Sequence, residues 1–209
     1  MARLAEKGYN VYTLILGEGV TSRDNKRDTN KKLDEIVYLK KCAKKANKVL
    51  RVRQVFFYDF PDNRFDIVPL LDIVKAIEKI KYKIKPDIIF THYEKDLNID
   101  HQITYKAVIT ATRPMEDETV KEIYSFEVLS STEWAYPLTF SPDMFYDISK
   151  TINDKLIALS NYGTEIRKSS HPRSLAGIWY NAKLWGMKVG LEYAEAFKTV
   201  RIIKGGEEC

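Results

Sequence analysis

Residues 87–104 read DIIFTHYEKDLNIDHQIT, and the order in which their character changes decides the fold class. Asp87 to Thr91 is a short apolar run with β-branched residues, the pattern of a buried strand. His92 to Ile99 is polar and reads as the loop that closes it. Asp100 or Thr104 then opens a helix, which must stop before Pro114 because the residue ahead of a proline disfavours helical geometry.

The same alternation continues upstream. Asn10 to Leu16 is a strand ending at the turn Gly17-Glu18-Gly19, and a polar stretch follows to about Asn30. A helix to about Leu50 carries Leu33, Ile36, Val37, Leu39, Ala43, Ala46 and Leu50 near helical spacing. Gln54 to Tyr58 is the next strand, Asp59 to Asp66 a loop, and Pro69 suits the first turn of a helix ending near Lys85. Strand–helix pairs in this order predict an α/β domain with a mainly parallel sheet, right-handed crossovers and flanking helices. Downstream the pattern is less regular. It predicts strands at Glu122 to Leu129, Tyr146 to Ile148 and Thr199 to Ile203, with helices over Lys150 to Leu159 and Ser174 to Lys188. No repeat or linker interrupts residues 1–209, so one domain is expected.

The N-terminus departs from this order. Ala2 to Lys7 reads as a helix end with Gly8 as its cap, yet a helix entering a parallel sheet connects from an earlier strand. The expectation is that a first strand, a loop and most of a helix are missing, a short genuine N-terminal cap being the other reading.

Composition narrows the function. Thirty-four Lys and Arg against 29 Asp and Glu give a net charge of +5. The lysines are spread among acidic residues, which speaks against a nucleic-acid stripe and leaves an acidic or phosphate-bearing ligand compatible. Cys42 and Cys209 form no disulfide framework or Cys-rich zinc pattern. The charged start lacks the apolar core of a signal peptide, and no apolar run is long enough for a transmembrane helix. A soluble cytoplasmic protein is expected.

Ligands of open parallel sheets bind at the carboxyl ends of the strands, which selects Gly17 to Arg27, Asp59 to Asp66 and His92 to His101. The last holds two of the three histidines, with Glu94, Asp96, Asn98 and Asp100 between them. Imidazole and carboxylate are zinc ligands in hydrolytic sites, and a neighbouring carboxylate can fix a ligand histidine's tautomer. A solvated polar loop accounts for the same composition equally well. Asp62, Arg64 and Asp66 could bind sugar hydroxyls or simply make turns. His171 and Arg173 could contact substrate, or the segment could serve only to place Ser174 as an N-cap.

Several stretches together resemble one family: LAEKGYNVY (4–12), GEG (17–19), FPDNRFD (60–66), DLNIDH (96–101), HPRS (171–174) and YAEAF (193–197). They are similar to the LmbE-like (PIG-L) deacetylases, most closely to those acting on surface-polysaccharide sugars. The resemblance implies a Rossmann-like fold and zinc-assisted removal of an N-acetyl group from an amino sugar or sugar conjugate. It assigns His101 as a zinc ligand and Asp100 as the carboxylate beside it. Asn98 stands where many members carry a histidine that assists the tetrahedral intermediate; an amide can donate there but cannot act as an acid. Asp62, Arg64, His171 and Arg173 are the substrate contacts it suggests. The family's remaining ligands and its general base come from a His-Pro-Asp-Asp element after the first strand, which this sequence lacks. Little zinc affinity and little activity are therefore expected of the 209-residue chain. Two alternatives stand beside this: a non-catalytic sugar-binding or association protein with the same fold, and a metal site built locally from His92, Asp96 and His101. A homo-oligomer is compatible with an uncovered sheet edge.

Overall fold

The computed structural model describes residues 1–205; Cys209 lies outside the described residues. The described residues form two compact units, Met1–Asn63 with Phe145–Glu195, and Arg64–Met144 with residues 196–205.

In the first unit, strands β1 (Tyr12–Gly17) and β2 (Gln54–Phe60) pair in parallel from Tyr12↔Gln54 to Gly17↔Phe60. Helix α1 (Ala2–Glu6) precedes them; its C-cap is Lys7 rather than Gly8, and Gly8 follows with a φ of 88° that only glycine adopts without strain. The crossover is helix α2 (Leu33–Val49), which buries Ile36, Cys42, Ala43, Ala46 and Asn47 along one side. Asn47 is held by the Thr13 hydroxyl of β1, which donates to its Oδ1 at 2.7 Å.

The second unit repeats the arrangement. Helix α3 (Leu70–Ile84) buries Ile73, Val74, Ala76 and Ile77 at i, i+3, i+4 spacing, with Asp72 in its first turn and Lys81 and Lys83 in its last. It packs on helix α4 (Ile99–Ala111), which buries Ala107, Val108 and Ala111. Strand β3 (Ile88–His92) pairs in parallel with β4 (Glu122–Phe126) from Ile88↔Glu122 to His92↔Phe126. Ile73, Val120 and Ile123 are fully buried here, and each large aliphatic side chain of this kind contributes about 1.5–3 kcal/mol.

Strands β5 (Met144–Asp147) and β6 (Ala194–Ile202) carry the chain across the boundary between the units. β6 runs antiparallel to β4, from Glu122↔Ile202 to Phe126↔Phe197. In the first unit, helices α5 (Ile152–Ser160) and α6 (Leu175–Lys188) close a core of Ile148, Ile152 and Ala182, against which Tyr146, Leu156, Trp179 and Tyr193 pack.

The α/β class, the parallel pairs and the flanking helices agree with the sequence reading. Several details differ: β2 runs on to Phe60, α4 begins at Ile99, β5 begins at Met144, and β6 begins at Ala194. The strands belong to two sheets rather than one. β4 stops at Phe126 instead of Leu129, because Val128 accepts turn hydrogen bonds from Ser131 and Thr132 and Ser130 takes a φ of 64°. Pro69 is the N-cap of α3 rather than part of its first turn.

Candidate functional site

The turn from β3 into α4 is fixed by its own side chains. Asn98 is the N-cap of α4, its Oδ1 accepting from the Asp100 N–H at 2.8 Å. The bond occupies the acceptor end of the amide rather than its NH2 group. Asp96, two residues earlier, is 1% exposed. Its carboxylate accepts from the Asn98 N–H at 2.9 Å and from the hydroxyls of Ser131 and Thr132, both buried in the loop after β4. Oδ1 also meets His101 Nδ1 at 2.9 Å, and the Asp96 backbone carbonyl accepts from Gln102 Nε2 at 2.7 Å.

This arrangement fixes a protonation state. Burial alone would raise the Asp96 pKa, but the hydrogen bonds from His101, Ser131, Thr132 and the Asn98 N–H outweigh it and hold the carboxyl down at about 2. An ionised carboxylate only accepts, so it is Nδ1 of His101 that carries a proton towards it, and in a neutral ring the lone pair lies on Nε2. That is the tautomer a ligand or hydrogen-bond-accepting imidazole needs. His92, the last residue of β3, stacks on His101 with ring centroids 4.2 Å apart and planes 15° from parallel. Burial, with the neighbouring His101, pushes the His92 pKa down to about 3, so its ring is neutral; its Nδ1 has no hydrogen-bond partner among the described residues.

Asp100 points elsewhere: its Oδ1 accepts from the Phe65 N–H at 2.9 Å, tying the first turn of α4 to the short 3-10 turn Phe65–Ile67 that follows Arg64. Asn98, Asp100 and His101 thus share one corner of the second unit, with Arg64 on the segment that Asp100 holds. In the first unit, Asp62 accepts from both the N–H and the hydroxyl of Ser22, and Asn63 Nδ2 donates to that hydroxyl at 3.1 Å. His171 Nδ1 accepts from the Arg173 N–H at 3.1 Å, and Arg173 shares Glu165 with Arg23. Ser174 caps α6 by accepting from the Gly177 N–H at 2.9 Å. Gly177 is required there, since a Cβ would lie 2.5 Å from the Pro172 carbonyl oxygen.

The sequence reading named Asp96 only as one donor of a local metal site and missed Ser131 and Thr132 altogether. The carboxylate that reaches the His101 ring is Asp96, five residues upstream, not its sequence neighbour Asp100. Among the described residues no three His, Cys, Asp or Glu side chains converge as metal ligands. In particular, both Asp96 oxygens are occupied by donors of the protein.

Three solved structures share this fold. N,N'-diacetylchitobiose deacetylase from Pyrococcus horikoshii, in complex with its inhibitor MPG, has a TM-score of 0.71 and 17% identity over 96% of this chain and 76% of that one. The zinc-inhibited form of teicoplanin deacetylase Orf2 gives 0.73 and 16%, over 98% and 92%. GalB, the 4-carboxy-2-hydroxymuconate hydratase of Pseudomonas putida KT2440, gives 0.72 and 20%, over 98% and 90%. At these identities the likeness is one of fold. A search of curated proteins returned no match. The sequence itself decides the family: residues 1–112 match the model described as PIG-L, GlcNAc-PI de-N-acetylase, and the chain belongs to that family.

Proposed function

We propose that the protein is an amide hydrolase that removes the N-acetyl group from an amino sugar or sugar conjugate, with zinc as the metal of the complete site. The observation that carries this reading is the Asp96–His101 pair. A buried carboxylate held ionised by four donors takes the Nδ1 side of the His101 imidazole and turns Nε2 away from itself, inside the segment that matches a deacetylase family. His101 is the zinc ligand in this reading. The described residues do not complete a zinc site by themselves, so the 209-residue chain alone is expected to bind zinc weakly.

What the chain's own residues offer is positioning. Asp96 fixes the His101 ring, and Asn98, where the family resemblance places a residue that assists the tetrahedral intermediate, is an amide able to donate but not to act as an acid. Asp100 is the carboxylate nearest in sequence to the ligand. Asp62, Arg64, His171 and Arg173 are proposed partners for sugar hydroxyls. The free, buried thiol of Cys42 fits a reducing, cytoplasmic setting, and a single domain over 1–209 and a homo-oligomer complete the reading.

The absence of a three-donor cluster among the described residues favours one alternative, a non-catalytic relative that binds sugar. Acetate release from N-acetylglucosamine conjugates, measured with added zinc and with a chelator, decides between them. Release that needs zinc and disappears in His101→Ala supports the hydrolase. Sugar binding indifferent to chelator, with no acetate released, supports the alternative.

A further inference from the structure

Charge in this chain is concentrated where the sequence reading took it to be dispersed. Between Lys31 and Arg53 there are nine basic and two acidic residues. That surplus of seven exceeds the +5 of the whole chain, so the remainder is net acidic. Most of the segment is α2, whose buried side faces its own unit. On the opposite side Lys41, Lys44, Lys45 and Lys48 are exposed, and none of the four makes an ion pair among the described residues; Lys44 rests 6.0 Å from the Phe57 ring. At 100° per residue they fall, with Leu33 and Val37, within an arc of about 120°, where the exposed Asp34 in the first turn is the one carboxylate against four lysines.

The same arc carries apolar surface. Leu33 is 57% and Val37 41% exposed, with Tyr38 beside them at 44%. Past the helix end, an open groove of about 340 Å³ is lined by Lys44, Lys48, Arg51 and Arg53 among others, and no carboxylate lines it. Arg51 is already engaged by Asp154 and Glu6, whereas Arg53 donates to the neutral Asn10 side chain, which leaves it and the lysines as the unneutralised charge.

We propose that this exposed face of α2 is a docking surface for an anionic lipid bilayer. Lysines without partners attract acidic headgroups, and the exposed Leu33 and Val37 enter the boundary between headgroups and acyl chains. A soluble polyanion such as nucleic acid would use the charge but leave the apolar side chains uncovered. No helix among the described residues is long and apolar enough to cross a membrane, so the contact is peripheral. The inference does not depend on the deacetylase reading.

Flotation of the full chain with vesicles of phosphatidylcholine alone, and of phosphatidylcholine with about 30% phosphatidylserine, tests it. Binding is expected only with phosphatidylserine, falling at least about tenfold between about 0.1 M and 0.5 M salt. Replacing all four lysines by glutamine is expected to lower partitioning by roughly two to three orders of magnitude, at about fivefold per lysine. Leu33→Ser with Val37→Ser is expected to lower it about tenfold while leaving retention on heparin unchanged. These residues are exposed, so helix content and melting temperature should hold; if the fourfold variant does not fold, Lys44→Glu and the salt series on the unaltered chain decide. Equal binding to both vesicle types overturns the proposal, as does retention on heparin without vesicle binding. Self-association that the same substitutions abolish, with no vesicle binding, overturns it too and assigns the face to a second copy.

Discussion

Two carboxylates follow the first strand of a parallel pair, one in each unit, and both are buried: Glu18 after β1, 4% exposed, and Asp96 after β3, 1% exposed. Their partners differ in kind. Glu18 is met by the guanidinium of Arg27, Nε at 2.8 Å and Nη2 at 2.9 Å, with the Thr21 hydroxyl as a third donor. That fork neutralises the charge where it stands and closes the loop on itself. Asp96 is met by two hydroxyls, a backbone N–H and an imidazole, none of them a fixed cation. Its charge is solvated rather than cancelled, and the imidazole it orients has a second nitrogen to offer. The first arrangement serves stability; the second also prepares a residue for binding.

The largest effect is expected from Asp96→Ala, which strips four donors of their acceptor in a buried place. Urea denaturation should show a loss of about 3–4 kcal/mol. Glu18→Gln should cost less, about 2 kcal/mol, because Arg27 is 39% exposed and water can take over part of its solvation. The Glu18 pair also predicts a pH dependence. Burial raises the Glu18 pKa, but the hydrogen bonds from Arg27 and Thr21 bring it below the ordinary value. A depressed folded pKa means that the contribution is complete above the unfolded value of about 4.3 and is lost as pH falls through the folded one. Denaturation midpoints measured from pH 6 downward should therefore converge for the parent and Glu18→Gln in acid; parallel curves would show that the pair does not act through its charge.

Smaller effects sharpen the contrast. Thr132→Val removes one of several donors to Asp96 and should cost about 1–2 kcal/mol by the same denaturation assay. It should also disturb the His101 ring resonances, which Thr21→Val at the Glu18 corner should leave untouched. Asn98→Ala removes the N-cap of α4 and should cost about 1 kcal/mol. If substitutions at the two carboxylates perturbed His101 equally, the distinction between them would fail.

Much of the fold was legible in the sequence because apolar runs and helical periodicity are local. The strand from Gln54 and the helix that follows Pro69 announce themselves by side-chain pattern alone, although the strand runs to Phe60, two residues beyond the Tyr58 expected. Which strands share a sheet is not local, and the division into β1–β2 and the β3–β4–β6 group had no sequence signal. The early start of β6 at Ala194 was hidden because Ala and Glu are poor strand formers. At the site, His101 stood out by residue type. Ser131 and Thr132 did not, since they meet Asp96 from 35 and 36 positions away and look like any loop hydroxyls. The helix start was misjudged by one residue or more, although an asparagine ahead of Ile99 is an ordinary capping signal.

The most direct test of the account is the tautomer of His101, read from long-range nitrogen–proton correlations of the labelled chain in metal-free buffer near neutral pH. The account predicts that in the neutral ring the proton sits on Nδ1, facing Asp96, and that Asp96→Ala abolishes this preference. A neutral ring with its proton on Nε2 in the unaltered chain would contradict it, because the nitrogen assigned to ligand binding would then be the donor.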